Sequence, residues 1–132
     1  MKPEKVIFTL VATDAGVTAL AGSRIYSEVA PQGTVKPFAV LSLVGDKPNY
    51  PIDATPGSDP WTGRIQVTCL GATSESSKAL AEAVMTSCYK KNGTIGGVKV
   101  TAVLVDTRGA SHYDMDVDTY QQSVDFIVHY YR

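Results

Sequence analysis

His112, Asp114 and Asp116 stand at positions i, i+2 and i+4, an imidazole beside two carboxylates in one short segment. Such a trio suggests a metal site on a loop. With no second histidine nearby, it reads better as a solvated loop ahead of a strand. The overlapping run DMDVDTY, 114–120, has the look of a calcium loop but lacks that motif's central glycine and terminal bidentate glutamate. His129 falls in a strongly alternating segment, with Gln122 and Ile127 as its exceptions, and reads as an outward-facing strand residue. Ser74, Ser76 and Ser77 have no base placed beside them by any motif, and suit the start of a helix better than nucleophilic catalysis. Gly96-Gly97 marks a turn and lacks the spacing of a phosphate-binding loop. Trp61 follows an irregular stretch and reads first as a strand-end anchor on the core, second as a ligand platform. These residues supply no catalytic constellation, no cofactor site and no metal site, so an enzyme is not expected.

Bulk properties narrow the classes further. A chain of 132 residues with 44% hydrophobic and 19% charged residues suits one globular domain and argues against disorder. The formal net charge is −1. Lys90-Lys91 is the one basic pair, where a helix C-terminus would attract cations anyway, so direct nucleic-acid binding is not expected. No apolar run approaches the roughly 18 residues that a membrane span needs. The start, Met-Lys-Pro-Glu-Lys and then 6–12 interrupted by Thr9, lacks the apolar core of a secretory signal and points to assembly in the cytosol. Cys69 and Cys88 then read as small buried hydrophobes rather than a disulfide.

Periodicity sets the elements that must carry any site. Val6, Ile7, Leu10 and Val11 recur at helical spacing behind Pro3. Asp14 caps a second short helical piece with Val17 and Leu20, stopped by Gly22. A first strand is expected at 24–29, with Ile25 and Val29 on one side. A second, 38–44, is apolar on both faces and so expected to be covered on both. Residues 46–60, with Pro48, Pro51, Pro56 and Pro60, have no periodicity and read as a long irregular hairpin loop. A third strand from Trp61 alternates Ile65, Val67 and Cys69 against Arg64, Gln66 and Thr68. Thr73 or Ser74 caps the longest helix, 75–92, with the stripe Leu80, Val84 and Cys88 and Gly93 as its stop. A fourth strand is expected at 98–105, a second loop at 107–116 hinged on Gly109, and a fifth strand at 117–131. The class is α+β. It is a single domain with a mainly antiparallel sheet of about five strands, on which one long helix and one or two short ones pack.

Three stretches carry a family resemblance. They are GVTALAGSRIYSEVAPQGTVKPFAVLSL (16–43), GRIQVTCLGATSESSKALAEAV (63–84) and YDMDVDTYQQSVDFIVHY (113–130). In order and spacing they resemble the tail completion proteins of long-tailed bacteriophages, also called tail terminators or tail-to-head joining proteins. The resemblance covers essentially the whole chain. It implies a structural virion protein, assembled in the host cytoplasm, that forms a ring, usually a hexamer, on the head-proximal end of the tail. That ring would contact the tail tube protein and the head–tail connector or stopper protein, and would carry no catalytic residues. A gene transfer agent would use such a protein in the same way.

Ring protomers need projecting segments, and the two loops are the candidates. The first offers Asp46, Lys47, Asn49, Tyr50, Asp53, Asp59 and Trp61; the second offers Arg108, His112, Tyr113 and Asp114. Removing 47–58 is expected to leave the fold intact. Neighbours could join through the short first strand, guarded only by Arg24 and Glu28, or through the outer face of the last strand. The residues alone also leave open a small ligand- or protein-binding module with no catalytic activity.

Overall fold

The computed structural model of the protein describes residues 2–49, 60–116 and 118–131. Helix formation begins at once. Pro3 and Glu4 occupy the first turn of α1 (Lys2–Thr13), where a missing N–H costs nothing and an acid suits the helix dipole. Val6, Ile7 and Val11 bury fully from its inner face. Asp14 then accepts the Val17 N–H at 3.1 Å and starts α2 (Ala15–Ala21). Gly22, at φ 58°, ends it by donating to the Thr18 carbonyl at 2.9 Å.

Six strands follow among the described residues. They are β1 (Ile25–Ser27), β2 (Phe38–Pro48), β3 (Pro60–Gly71), β4 (Gly93–Ile95), β5 (Val98–Asp114) and β6 (Thr119–Tyr131), with α3 (Ser74–Cys88) between β3 and β4. They form one sheet in the order β1-β2-β3-β6-β5-β4. Only β1 and β2 run parallel; every other pair is antiparallel. The helices cover one face. Ile65, Val67 and Cys69 of β3 and Val124, Phe126 and Val128 of β6 meet Val6, Val11, Val17, Leu80 and Val84 there, all buried completely. Each such side chain contributes roughly 1.5–3 kcal/mol. Among the described residues the opposite face carries no helix. The α+β class and the mainly antiparallel sheet stand as expected, with six strands in place of about five.

Several expectations are corrected. The first strand covers three residues, because Glu28 takes a left-handed φ of 67° and Val29 turns out to solvent, 78% exposed. Of the two apolar residues named for α2, Val17 is buried and Leu20 is exposed. β2 is not covered on both faces. Ala39 and Leu41 bury under the helices, Phe38 packs edge-on against Tyr26, and Leu43 and Val44 stay exposed. β2 also runs on through Asp46, Lys47 and Pro48, which register with Gly63, Thr62 and Trp61, so the irregular hairpin segment begins later than residue 46. Of it, 50–59 lie outside the described residues. Excising 47–58 would therefore cut into the ladder.

The helix expected to reach 92 stops at Cys88. The Thr73 hydroxyl accepts the Ser76 N–H at 3.0 Å and starts α3. At the other end the Ser87 hydroxyl bonds back to the Val84 carbonyl at 2.7 Å, Lys90 takes the left-handed position, and the Lys91 carbonyl accepts the Val103 N–H at 3.0 Å. Gly93 is then free to open β4, a strand not expected from the sequence. It turns into β5 through Gly96-Gly97, both at positive φ.

Residues 107–114, expected as a loop, continue β5. Three register shifts, at Val100/Ala102, Val105/Thr107 and Arg108/Ser111, break the two-residue alternation and hide the strand from a periodicity reading. Gly109 is no hinge, since its missing side chain makes room for the Ser123 hydroxyl. The buried Gln122, a polar exception in the inward row of β6, gives its amide to the carbonyls of Gly109 and Ser123.

Two measurements check this packing. A Cβ on Gly63 would lie 2.6 Å from the Pro3 Cβ, whereas one on Gly45 meets nothing. Gly63→Ala should lower stability by about 1–3 kcal/mol in urea denaturation, with Gly45→Ala far milder. Burial pushes the Cys69 and Cys88 thiols up from 9.0 to about 12. Below pH 9 the thiols are protonated folded and unfolded alike. Above it only the unfolded chain loses those protons. Stability should therefore fall between about pH 9 and 12, by up to about 1.4 kcal/mol per pH unit per thiol, and Cys88→Ala should flatten that slope.

Candidate functional site

Among the described residues no hydrogen bond joins a nucleophile to a base in the arrangement that acyl transfer needs. Among the described residues no group of three or more His, Cys, Asp or Glu side chains could hold a metal ion. Asp114 instead accepts the Asp116 N–H at 3.0 Å and shapes the β5–β6 turn. His112 sits opposite Gln121 on exposed β5.

The sequence-derived candidates separate into two places. The first is the β2–β3 end. Both carboxylate oxygens of Asp46 accept the Tyr130 hydroxyl, at 2.8 and 2.7 Å, tying the strand end to the core. Asn49 donates its amide to Thr62 Oγ1 and its backbone N–H to the Pro60 carbonyl at 2.8 Å. Thr62 Oγ1 in turn lies 3.1 Å from His129 Nδ1. Trp61, half-buried, packs against the core edge as a strand-end anchor. Lys47 extends beside a groove of about 480 Å3 that Val44, Thr62, Arg64 and Ile127 help line. Tyr50, Asp53 and Asp59 lie outside the described residues.

The second place is the β5–β6 tip. The Tyr113 ring lies 4.6 Å from that of Tyr120, and its hydroxyl donates to Asp118 Oδ1 at 2.6 Å, a bond that holds the phenol above its usual range. Arg108 belongs to neither place. A register shift turns it toward the helices, where it pairs with Glu82 of α3 at 2.6 Å.

The bare face of the sheet holds what the candidates omitted. Arg64 bridges Asp106, and Asp125 at 3.8 Å, joining β3, β5 and β6. The alternation of β3 and β6 already placed Arg64 and Asp125 outward; only the bulge at Asp106 hid the third member. Such a face can present charge and hydrogen bonds to another macromolecule, and has nothing with which to turn over a substrate.

The family model for tail completion protein gp17 matches residues 5–131. The chain belongs to that family. Tail completion proteins are structural parts of phage tails, and this chain is a structural protein rather than an enzyme. No protein of curated function matches the sequence. Among solved structures, a chain from the "Virion of native gene transfer agent (GTA) particle" matches with a TM-score of 0.73. It is 16% identical, over 96% of this chain and 92% of that one, so what the two share is the fold.

The Asp46–Tyr130 bond is open to a direct test. Tyr130→Phe removes a donor from a half-buried carboxylate and should cost about 1.5–3 kcal/mol in chemical denaturation. An unchanged midpoint would show that solvent serves Asp46 equally well.

Proposed function

We propose that this tail completion protein forms a ring, a hexamer by family resemblance, on the head-proximal end of a phage or phage-like tail. There it stops growth of the tail tube and offers the surface on which the head connector docks. The observation that carries the reading is the family match along residues 5–131. The gene transfer agent particle supports it, since a protein of the same fold is part of that virion.

The architecture suits the role. A closed ring needs two different flanks on each protomer. One flank of this sheet ends in the parallel pair β1–β2, the other in β5 with its short partner β4. The partner contacts proposed for the ring's axial surfaces are the β2–β3 end, with Lys47, Asn49 and Trp61, and residues 50–59 beyond it, including Tyr50, Asp53 and Asp59. Assembly in the host cytoplasm and residence at the head–tail interface follow from the same reading.

Deletion of 50–58, which spares the paired residues of β2 and β3, separates two functions. The shortened protein should still assemble into rings in negative stain, while particles carrying it should lose head attachment. Normal yields of infectious or transducing particles would remove the segment from the joining surface.

A further inference from the structure

The turn between β5 and β6 and the flank of α3 carry opposite charge around apolar centres, and lie apart in one copy. The turn stands past the end of β3, whose last pair is Gly71 with Tyr120. At its head Met115 is 81% exposed, an unusual placement for a long apolar side chain. Asp114, Asp116 and Asp118 surround it. Among the described residues the ion pairs are Arg64 with Asp106 and Asp125, and Arg108 with Glu82, so these three carboxylates have no cationic partner. Lys36 reaches the Asp118 carbonyl, at 3.0 Å. The turn is nonetheless held in shape by the Asp114–Asp116 and Tyr113–Asp118 hydrogen bonds.

The complement lies along the C-terminal half of α3. A groove of about 440 Å3 runs between that helix and β5, floored by Met85 and Val105 and walled by Thr86 and Tyr89. Tyr89 is 60% exposed and Lys90 sits over its ring at 5.2 Å. Glu82 lines one end but is already neutralised by Arg108. Lys91 lines the other, and neither it nor Lys90 has a carboxylate partner among the described residues. The groove is therefore apolar at its floor with surplus positive charge at its rim. The turn is apolar at its head with surplus negative charge around it.

We infer that the β5–β6 turn of one copy docks in the α3–β5 groove of a second copy, with Met115 on the Met85 and Val105 floor and the turn's aspartates against Lys90 and Lys91. The inference rests on the ring reading and names its lateral contact. Each copy has one turn and one groove on different parts of its surface, with most of α3 between them. The contact is heterologous, so it passes from copy to copy and closes when the rotation allows. Opposite charges at the rim fix the register and reject a turn-to-turn or groove-to-groove encounter.

The test uses the full chain, followed by native mass spectrometry alone and with assembled tail tubes. Asp116→Lys and Lys91→Glu alter exposed side chains with no structural partner, so each protein should keep the wild-type melting curve and yet fail to form rings. Mixed together, the two present an unchanged turn to an unchanged groove and a reversed turn to a reversed groove in alternation, and should recover rings of even copy number. Both changes in one chain should restore the ring. As a positive probe, Met115→Cys protein mixed with Met85→Cys protein should give a disulfide-linked dimer on oxidation. The Met85→Cys protein mixed with Val29→Cys protein should not, and the native thiols are buried. A wild-type ring that both charge reversals leave intact would overturn this contact and leave the ring standing. A wild type that stays monomeric even with tubes, or that stops at a reciprocal dimer, would overturn both.

Discussion

The twelve-residue ladder between β3 and β6 is the constraint on which the rest of the molecule hangs. Its strands lie about half the chain apart, so its formation closes the longest loop of any strand pairing in the sheet and carries the largest entropic cost among those pairings. What offsets that cost is the inward row, Ile65, Val67 and Cys69 against Val124, Phe126 and Val128, which is fully buried. A slip of one residue would turn that row outward and put Arg64, Asp125 and His129 beneath the helices. Burial of one face therefore fixes the register, and the register fixes every surface feature that follows.

From this ladder the asymmetry of the protomer follows. Helices α1, α2 and α3 all attach to the same face, because that face carries the continuous apolar rows of β3 and β6. Close approach is built in: Gly63 makes room for Pro3 of α1, and Gly71 lets the start of α3 pass within contact of the strand end. The bare face keeps the alternate, polar row and ties it together through Arg64, Asp106 and Asp125. Exposed ion pairs of this kind add little to stability. Their effect is to hold a defined pattern of charge on a surface that other proteins can meet.

What could be read from the sequence was whatever a single period expresses. The rows of β3 and β6, the stripe Leu80-Val84-Cys88, and the caps at Asp14 and Thr73 all obey one local rule and were found where expected. The misses are places where two rules compete. Gly93 looked like a helix stop, but the Lys91 carbonyl is taken by Val103 and the chain leaves the helix sooner. Val29 looked like strand, but Glu28 turns left-handed just before it. The surfaces proposed for partner contact were legible only as polar segments. The groove beside α3 was not legible at all, because it joins Met85 and Tyr89 to Val105 across a strand crossing that no local pattern records.

The second segment taken for a loop shows how a protein with no catalytic chemistry can still encode function locally. Three register shifts in β5 add residues without ending the strand, and each rotates the side chains beyond it. One leaves Asp106 on the bare face beside Arg64; another sends Arg108 to Glu82 on the helical side. The same shifts let polar residues run to Asp114 while remaining paired with β6. The acidic turn is thus mounted on a hydrogen-bonded arm rather than on a free loop. A free loop would lose conformational entropy on meeting a neighbour, and that loss would weaken every contact in an assembly built by repetition. An arm ordered during folding has already met that cost within the monomer, so each repeated contact keeps more of its interaction energy. On this physical ground the bulges in β5, which disguised the strand in the sequence, are what mount its tip on paired backbone, as the proposed contact requires.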